Sequence, residues 1–222
     1  MKKLVCIGGG EIPRIKNGIQ LPYETKEIDE EIVKLSEKDN PKFLFIGIAS
    51  TNYLEYFSVI GKVYENLGCS VSLFDPNKSY KEMREDILNT DIIYVGGGNT
   101  RYLLDVFREK HIDELLLEAY EKGIVCSGLS AGSYCWFKCN YDLIEGLGIV
   151  DAVHCVHYDQ KDEEAKNKFF EEIKKQNKEG IALDNCVALE LVDGERKIIK
   201  SNNDRHAYFY DYKDGELVEK VL

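Results

Sequence analysis

The chain has 222 residues, 44% hydrophobic and 31% charged, which suits one soluble globular domain with a sizeable core. Its formal net charge of −11 argues against nucleic-acid binding, which rests on clustered Lys and Arg, and against adhesion to anionic membranes. No apolar run approaches the roughly 20 residues of a membrane span, and Leu4–Ile7 after Met1-Lys2-Lys3 is too short for a secretory leader, so a cytoplasmic protein is expected.

Apolar runs alternate with amphipathic stretches along the chain. Residues 3–8 read as a buried strand that ends in Gly8-Gly9-Gly10. Residues 26–38 carry Ile28, Ile32 and Leu35 at helical spacing, and Phe43–Ala49 is a second buried strand. Tyr53–Asn66 places Tyr53, Phe57, Ile60 and Tyr64 on one helical face. A short strand at Ser70–Phe74 and a short helix at Tyr80–Leu88 follow, then a strand at Asp91–Val95 stopped by Gly96-Gly97-Gly98-Asn99-Thr100. Thr100 is placed to cap the next helix, whose apolar face is Leu103, Leu104 and Phe107. Ile112–Lys122 is helical, and Gly123–Cys126 leads as a strand into Ser127-Gly128-Leu129-Ser130-Ala131-Gly132.

This alternation predicts an α/β fold: a doubly wound, mostly parallel sheet flanked by helices. The pattern changes after about residue 145. One further helix, Glu163–Lys175, precedes strand-like runs at 186–192, 196–200, 206–210 and 216–220. Asp193-Gly194 and Asp214-Gly215 read as hairpin turns between pairs of them, which predicts a small antiparallel C-terminal extension of the same domain, residues 1–222.

Seven cysteines are an odd number without metal-ligand spacing, and most lie in apolar runs. Free thiols in a reducing compartment are expected. Cys135 and Cys139 are four apart, as on one helix, but no second pair completes a zinc site, so no metal and no organic cofactor is expected.

Strand, Gly128-x-Ser130-x-Gly132, helix is the pattern of a nucleophile elbow. The serine there sits on a sharp turn with its hydroxyl exposed. The next amide, on Ala131, can face a developing oxyanion. The plain alternative is a tight turn that contains a serine. A serine nucleophile needs a base. Of four histidines, His111 reads as surface and His206 as the start of a C-terminal strand. His154 and His157 follow Ser130 by 24 and 27 residues, and His157 is favoured because it closes an apolar stretch and opens a polar loop. The orienting acid is not selected by spacing: Asp184, at a strand end, competes with Asp142, Glu145, Asp159 and Glu190. The Gly96–Thr100 loop fits a phosphate cradle, a tight turn, or the second half of an oxyanion hole with Gly97 or Gly98 donating. It lacks GxGxxG and the P-loop lysine.

Together these segments resemble the peptidase E family of serine peptidases, which includes aspartyl dipeptidase and cyanophycinase. The matches are Gly8-Gly9-Gly10, Gly96-Gly97-Gly98-Asn99-Thr100, Gly128-Leu129-Ser130-Ala131-Gly132, the His157 segment and Leu183-Asp184-Asn185, in family order across nearly the whole chain. The resemblance implies a fold related to class I glutamine amidotransferases, Ser130 as nucleophile, His157 as base, and oxyanion donors from the Gly97–Gly98 loop and Ala131. For the third member it points to Asp184, with Asn185 one residue away as the other alignment. It implies hydrolysis of short peptides, with an N-terminal aspartate as one candidate preference and Arg101 as a candidate cation for it. An esterase or amidase using the same pair, and a non-catalytic binding relative, are the rival readings. The expected partner is a small peptide substrate; a homo-oligomer is compatible with the sequence.

Overall fold

Four apolar runs pair side by side as the centre of a parallel sheet. The computed structural model describes residues 1–222 apart from Asn17, Asp214 and the side chain of Lys16. The chain begins with β1 (Lys3–Ile7), the ribbon β2 (Ile15–Lys16) and β3 (Ile19–Gln20), α1 (Lys26–Leu35), β4 (Lys42–Ile46), α2 (Tyr53–Asn66) and β5 (Ser70–Leu73). It continues through α3 (Tyr80–Leu88), β6 (Ile92–Val95), α4 (Thr100–Glu109), α5 (Ile112–Glu121), β7 (Val125–Leu129), the single turn α6 (Ala131–Tyr134) and β8 (Phe137–Asn140). The last third holds β9 (Val150–Val156), a 3-10 turn at Tyr158–Gln160, α7 (Glu163–Gln176), β10 (Glu179–Leu183) and β11 (Val187–Val192). It ends with β12 (Glu195–Lys200), β13 (Ala207–Lys213) and β14 (Glu216–Val221).

The main sheet has the order β12-β11-β1-β7-β6-β4-β5. From β1 to β5 its neighbours are parallel, while β11 and β12 add an antiparallel edge on the other side of β1. Every residue of β1, β6 and β7 is buried, as a strand covered on both faces requires. Alternate residues supply the two cores. Val5, Ile7, Phe43 and Phe45 pack with Ile32 of α1 and Tyr64 of α2. Leu4, Cys6, Leu44 and Ile46 pack with Phe107 of α4 and Leu116 of α5. Each such large apolar side chain contributes about 1.5–3 kcal/mol through burial.

The C-terminal runs are divided differently from the expectation. β11 and β12 extend the main sheet, whereas β13 and β14 join a second sheet of order β14-β13-β10-β9-β8. Within it β8, β9 and β10 are parallel. α7 covers its outer face, with Phe169 and Ile173 against Val153, Cys155 and Tyr210. Its inner face, including Ala152, Ile181 and Ala207, joins the core of the main sheet. The β8 pattern is hidden in the sequence because Phe137–Asn140 is short and half polar. Asp193 and Gly194 do connect the paired β11 and β12, and of the second expected turn Asp214 lies outside the described residues.

Two local expectations also shift. Asn99, not Thr100, caps α4, its Oδ1 accepting from the Tyr102 N–H at 3.0 Å. Cys135 ends α6 and Cys139 lies in β8, so their spacing does not put them on one helix. All seven cysteines are buried and free. No helix among the described residues is long and apolar enough to cross a membrane.

Three chain segments converge where the sheets abut. They are the end of β7 in the main sheet, the end of β9 in the second, and the β10–β11 link that crosses between them.

Candidate active site

At the end of β7 the chain bends at Ser130, with φ 55° and ψ −113°, a combination closed to most L residues. The Ser130 N–H donates to the Ile7 carbonyl at 3.1 Å, and its own carbonyl accepts from Ser133 and Tyr134 at 2.9 and 3.0 Å. The flanking glycines are steric requirements: a Cβ on Gly128 would strike the Gly132 carbonyl, and one on Gly132 the Val95 carbonyl. Ser130 and His157 both line a cavity of about 350 Å³.

His157 follows β9 and is tied back to the main sheet, its N–H donating to the Gly8 carbonyl at 3.1 Å. Its Nε2 lies 2.9 Å from Ser130 Oγ. Its Nδ1 lies 2.6 Å from Asn185 Oδ1. A carbonyl oxygen can only accept, so Nδ1 carries the proton and Nε2 presents its lone pair to the serine hydroxyl. This is the tautomer of a general base.

Asp184, expected beside His157, faces the other way. Its Oδ2 accepts from the His206 N–H at 2.9 Å, its Oδ1 is buried without a partner, and burial pushes its carboxyl up. The β10–β11 link turns at Asn185-Cys186, with Cys186 at φ 65°, and the Asp184 N–H donates to the His206 carbonyl at 3.1 Å, which ties Asp184 to the β13 side. Asn185 therefore takes the face toward His157. The other acids are elsewhere: Asp142 and Glu145 are exposed in the β8–β9 connection, and Glu190 on β11 pairs with Lys197 at 3.4 Å. Asp159 stands one shell further out. Its Oδ1 accepts from the Asn185 backbone N–H at 2.8 Å, and its Oδ2 accepts from Arg205 at 2.7 Å.

His154 has a different environment. It is fully buried, stacked on Phe137 at 3.7 Å, with Nδ1 2.8 Å from the Ile181 carbonyl and Nε2 2.9 Å from Ser133 Oγ. Burial holds it down at about 3, so it stays neutral and braces the turn behind the serine. His111 is exposed and pairs with Glu114 at 3.1 Å.

The loop after β6 lies against the elbow. A Cβ on Gly97 would come 3.3 Å from Ser130 Cβ, so its backbone can approach a group bound at the hydroxyl. Gly98, with φ 145°, is instead pressed against Ala49, whose carbonyl accepts from Asn99 at 2.8 Å. Ala131 opens α6, where the first amides have no partner within the helix. Tyr56 lines the same cavity, and burial pushes its phenol up to about 12, so it remains protonated.

Three features of the site escape the sequence reading. Arg14, beyond Gly10, lines the cavity beside Glu11 and Glu55, whereas Arg101 is exposed and lines neither this cavity nor its neighbour. Arg205 comes from the turn before β13. Gly9 lies directly on the His157–Asn185 pair; a glycine triplet at a strand end was the available signal, since it marks a close backbone approach.

The model of peptidase family S51 matches residues 16–199. The chain is 29% identical to an uncharacterized peptidase, YgaJ, of Bacillus subtilis, over the whole of this chain and 97% of the relative. A second relative, the uncharacterized peptidase Lmo0363 of Listeria monocytogenes, is 36% identical over 92 residues, 40% of this chain and 45% of its own. Among solved structures, a peptidase from an acI-B1 actinobacterium superposes with a TM-score of 0.71 at 22% identity, covering 99% of this chain and 93% of the other. A putative peptidase E protein from Listeria monocytogenes gives 0.67 at 22% identity, over 90% of this chain and 98% of the other; both likenesses concern the fold. With a buried parallel sheet, a strained serine at the end of β7 and a family match over most of its length, the chain belongs to peptidase family S51, the serine peptidases of the peptidase E type.

Proposed function

We propose that this serine peptidase hydrolyses short peptides through Ser130, His157 and Asn185. The observation that carries the reading is the 2.9 Å approach of His157 Nε2 to Ser130 Oγ, with Nδ1–H held by a neutral carboxamide. His157 takes the hydroxyl proton as Ser130 Oγ attacks the scissile carbonyl. The tetrahedral oxyanion is received by the Ala131 amide and the Gly97 backbone. His157 then gives its proton to the leaving amine, and water hydrolyses the acyl-enzyme by the same route in reverse. Gly98, the next residue of that loop, is the other candidate donor.

The cavity also supports a preference for an N-terminal aspartate. Arg14, one of whose terminal nitrogens is paired with Glu11 at 2.8 Å, keeps a buried, unpartnered Nε that can meet a short acidic side chain. Glu55, on the same cavity wall, supplies an acceptor for a free α-ammonium. A cavity of about 350 Å³ lies at the small end of ligand sites, in keeping with a dipeptide-sized substrate.

The test is hydrolysis of a dipeptide library varied at the N-terminal residue, run with the wild type and Ser130→Ala, beside labelling by a fluorophosphonate. Asp-X cleavage above other dipeptides and labelling confined to Ser130 are expected. Turnover that survives Ser130→Ala overturns the mechanism.

A further inference from the structure

We infer that Asp159 is a positioning residue that makes the neutral Asn185 an effective partner for His157, and that Arg205 holds it in that role. The inference rests on the proposed Ser130–His157–Asn185 reading. A carboxamide can face a histidine with either end. With its oxygen toward Nδ1 it selects the tautomer that accepts the serine proton; with its NH₂ toward Nδ1 it selects the inactive one. Something must therefore decide which end points where.

Asp159 decides it. The residue sits in the 3-10 turn just after His157, and its side chain is 8% exposed. Its Oδ1 takes the Asn185 backbone N–H at 2.8 Å, and its Oδ2 lies 3.4 Å from Asn185 Nδ2. A carboxylate only accepts. A flipped carboxamide would set its oxygen against that carboxylate, so the NH₂ end is drawn to Asp159 and the oxygen to His157. The same carboxylate places a formal negative charge one amide away from the imidazolium that forms during acyl transfer. Arg205, 2.7 Å from Oδ2, fixes the carboxylate and compensates its burial. Asp184, Cys186 and Tyr208 also sense its charge, but none of them is hydrogen-bonded to it.

The geometry therefore describes a relay of five groups, Ser130, His157, Asn185, Asp159 and Arg205, with the anion in fourth place. It predicts that the carboxylate and the carboxamide are interchangeable as a pair but not singly. Asp159→Asn keeps an acceptor for the Asn185 backbone only by turning its NH₂ toward the Arg205 guanidinium and the Asn185 NH₂, so the Asn185 carboxamide loses its acceptor and is free to flip. In the double variant Asp159→Asn/Asn185→Asp the carboxylate meets His157 Nδ1–H directly, and its second oxygen accepts from the carboxamide NH₂ behind it, while Arg205, displaced from position 159, turns toward solvent.

The experiment measures kcat and KM on one cleaved dipeptide for the wild type, Asp159→Asn, the double variant and Ser130→Ala, with thermal melts of each. Asp159→Asn is expected to lose about 10- to 100-fold in kcat with KM within roughly twofold. The double variant is expected to regain at least about tenfold over Asp159→Asn. Wild-type kcat in a folded Asp159→Asn, or a double variant no faster than Asp159→Asn, overturns the positioning role while a dead Ser130→Ala leaves the peptidase reading standing. Activity that survives Ser130→Ala overturns both.

Discussion

Gly9 lies against the His157 imidazole: a Cβ at position 9 would overlap both His157 Nδ1 and Asn185 Oδ1. The end of β1 thus presses on the hydrogen bond that sets the histidine tautomer. Gly9→Ala should push the ring off Ser130 and lower kcat by roughly 10²-fold or more, since small displacements of catalytic groups cost about that much. Circular dichroism of the variant should stay native. Gly8→Ala is a different case, because the added Cβ would meet the Asp184 and Leu183 backbone carbonyls, and loss of stability is expected there. A fully active Gly9→Ala would contradict the contact.

Ser130 holds a strained backbone, with φ 55° and ψ −113°. Such conformations cost of order 1–3 kcal/mol and glycine avoids most of that cost. Ser130→Gly and Ser130→Ala should both lose turnover by several orders of magnitude. Ser130→Gly should nonetheless be more stable than Ser130→Ala by about 1 kcal/mol, after the extra chain entropy of glycine is set against the strain. Urea unfolding of the pair checks this; equal midpoints would mean that the bend stores no strain.

Arg14 is the basic side chain that lines the cavity with Ser130 and His157. Replacing it by methionine keeps the apolar stem and removes the guanidinium. kcat/KM for an Asp-X dipeptide should fall about 10- to 100-fold, and that for an Ala-X dipeptide far less, because a charge-assisted pair contributes a few kcal/mol to one substrate alone. A parallel loss on both substrates would assign Arg14 to the fold and not to selection.

Two buried groups give stability opposite pH slopes. His154 is held at about 3 in the native state against an ordinary 6.5. Its contribution is complete above about pH 6.5 and is lost as pH falls toward 3, where the unfolded chain binds a proton that the native state refuses. Asp29, fully buried and accepting from Thr25 and Tyr64, is raised to about 6 from 3.8. Its contribution is complete below about pH 4 and is lost as pH rises through 6. Between about pH 4 and 6 the slopes oppose each other. Asp29→Asn should therefore stabilise the protein at pH 8 by about 1–3 kcal/mol, lose that gain below pH 4, and steepen the fall between pH 6 and 4. Urea midpoints across that range read it directly, and a gain independent of pH would assign the effect to packing.

The parallel sheet was legible because burial on both faces writes continuous apolar runs, as in Leu4–Ile7 and Ile92–Val95. The elbow was legible because its glycines are demanded by contacts within a few residues of the serine. β8 and the division of the C-terminal strands between two sheets were not, since a short strand with a polar face carries little periodic signal. The third partner of His157 was least accessible. Asp184 and Asn185 are adjacent and both polar, and their order in the chain does not say which one faces the histidine.

The amino-acid order by itself determined a parallel α/β sheet, a serine at a glycine-bounded bend and a histidine downstream, because local sterics and burial act on neighbouring residues. Only the packing of the second sheet against the first decided that His157 reaches that serine, that Asn185 rather than Asp184 meets the imidazole, and that Asp159, Arg205 and Arg14 stand around them. Those relations depend on how the turn between β10 and β11 presents its side chains and on contacts between residues 26 or more positions apart, where no local propensity reaches.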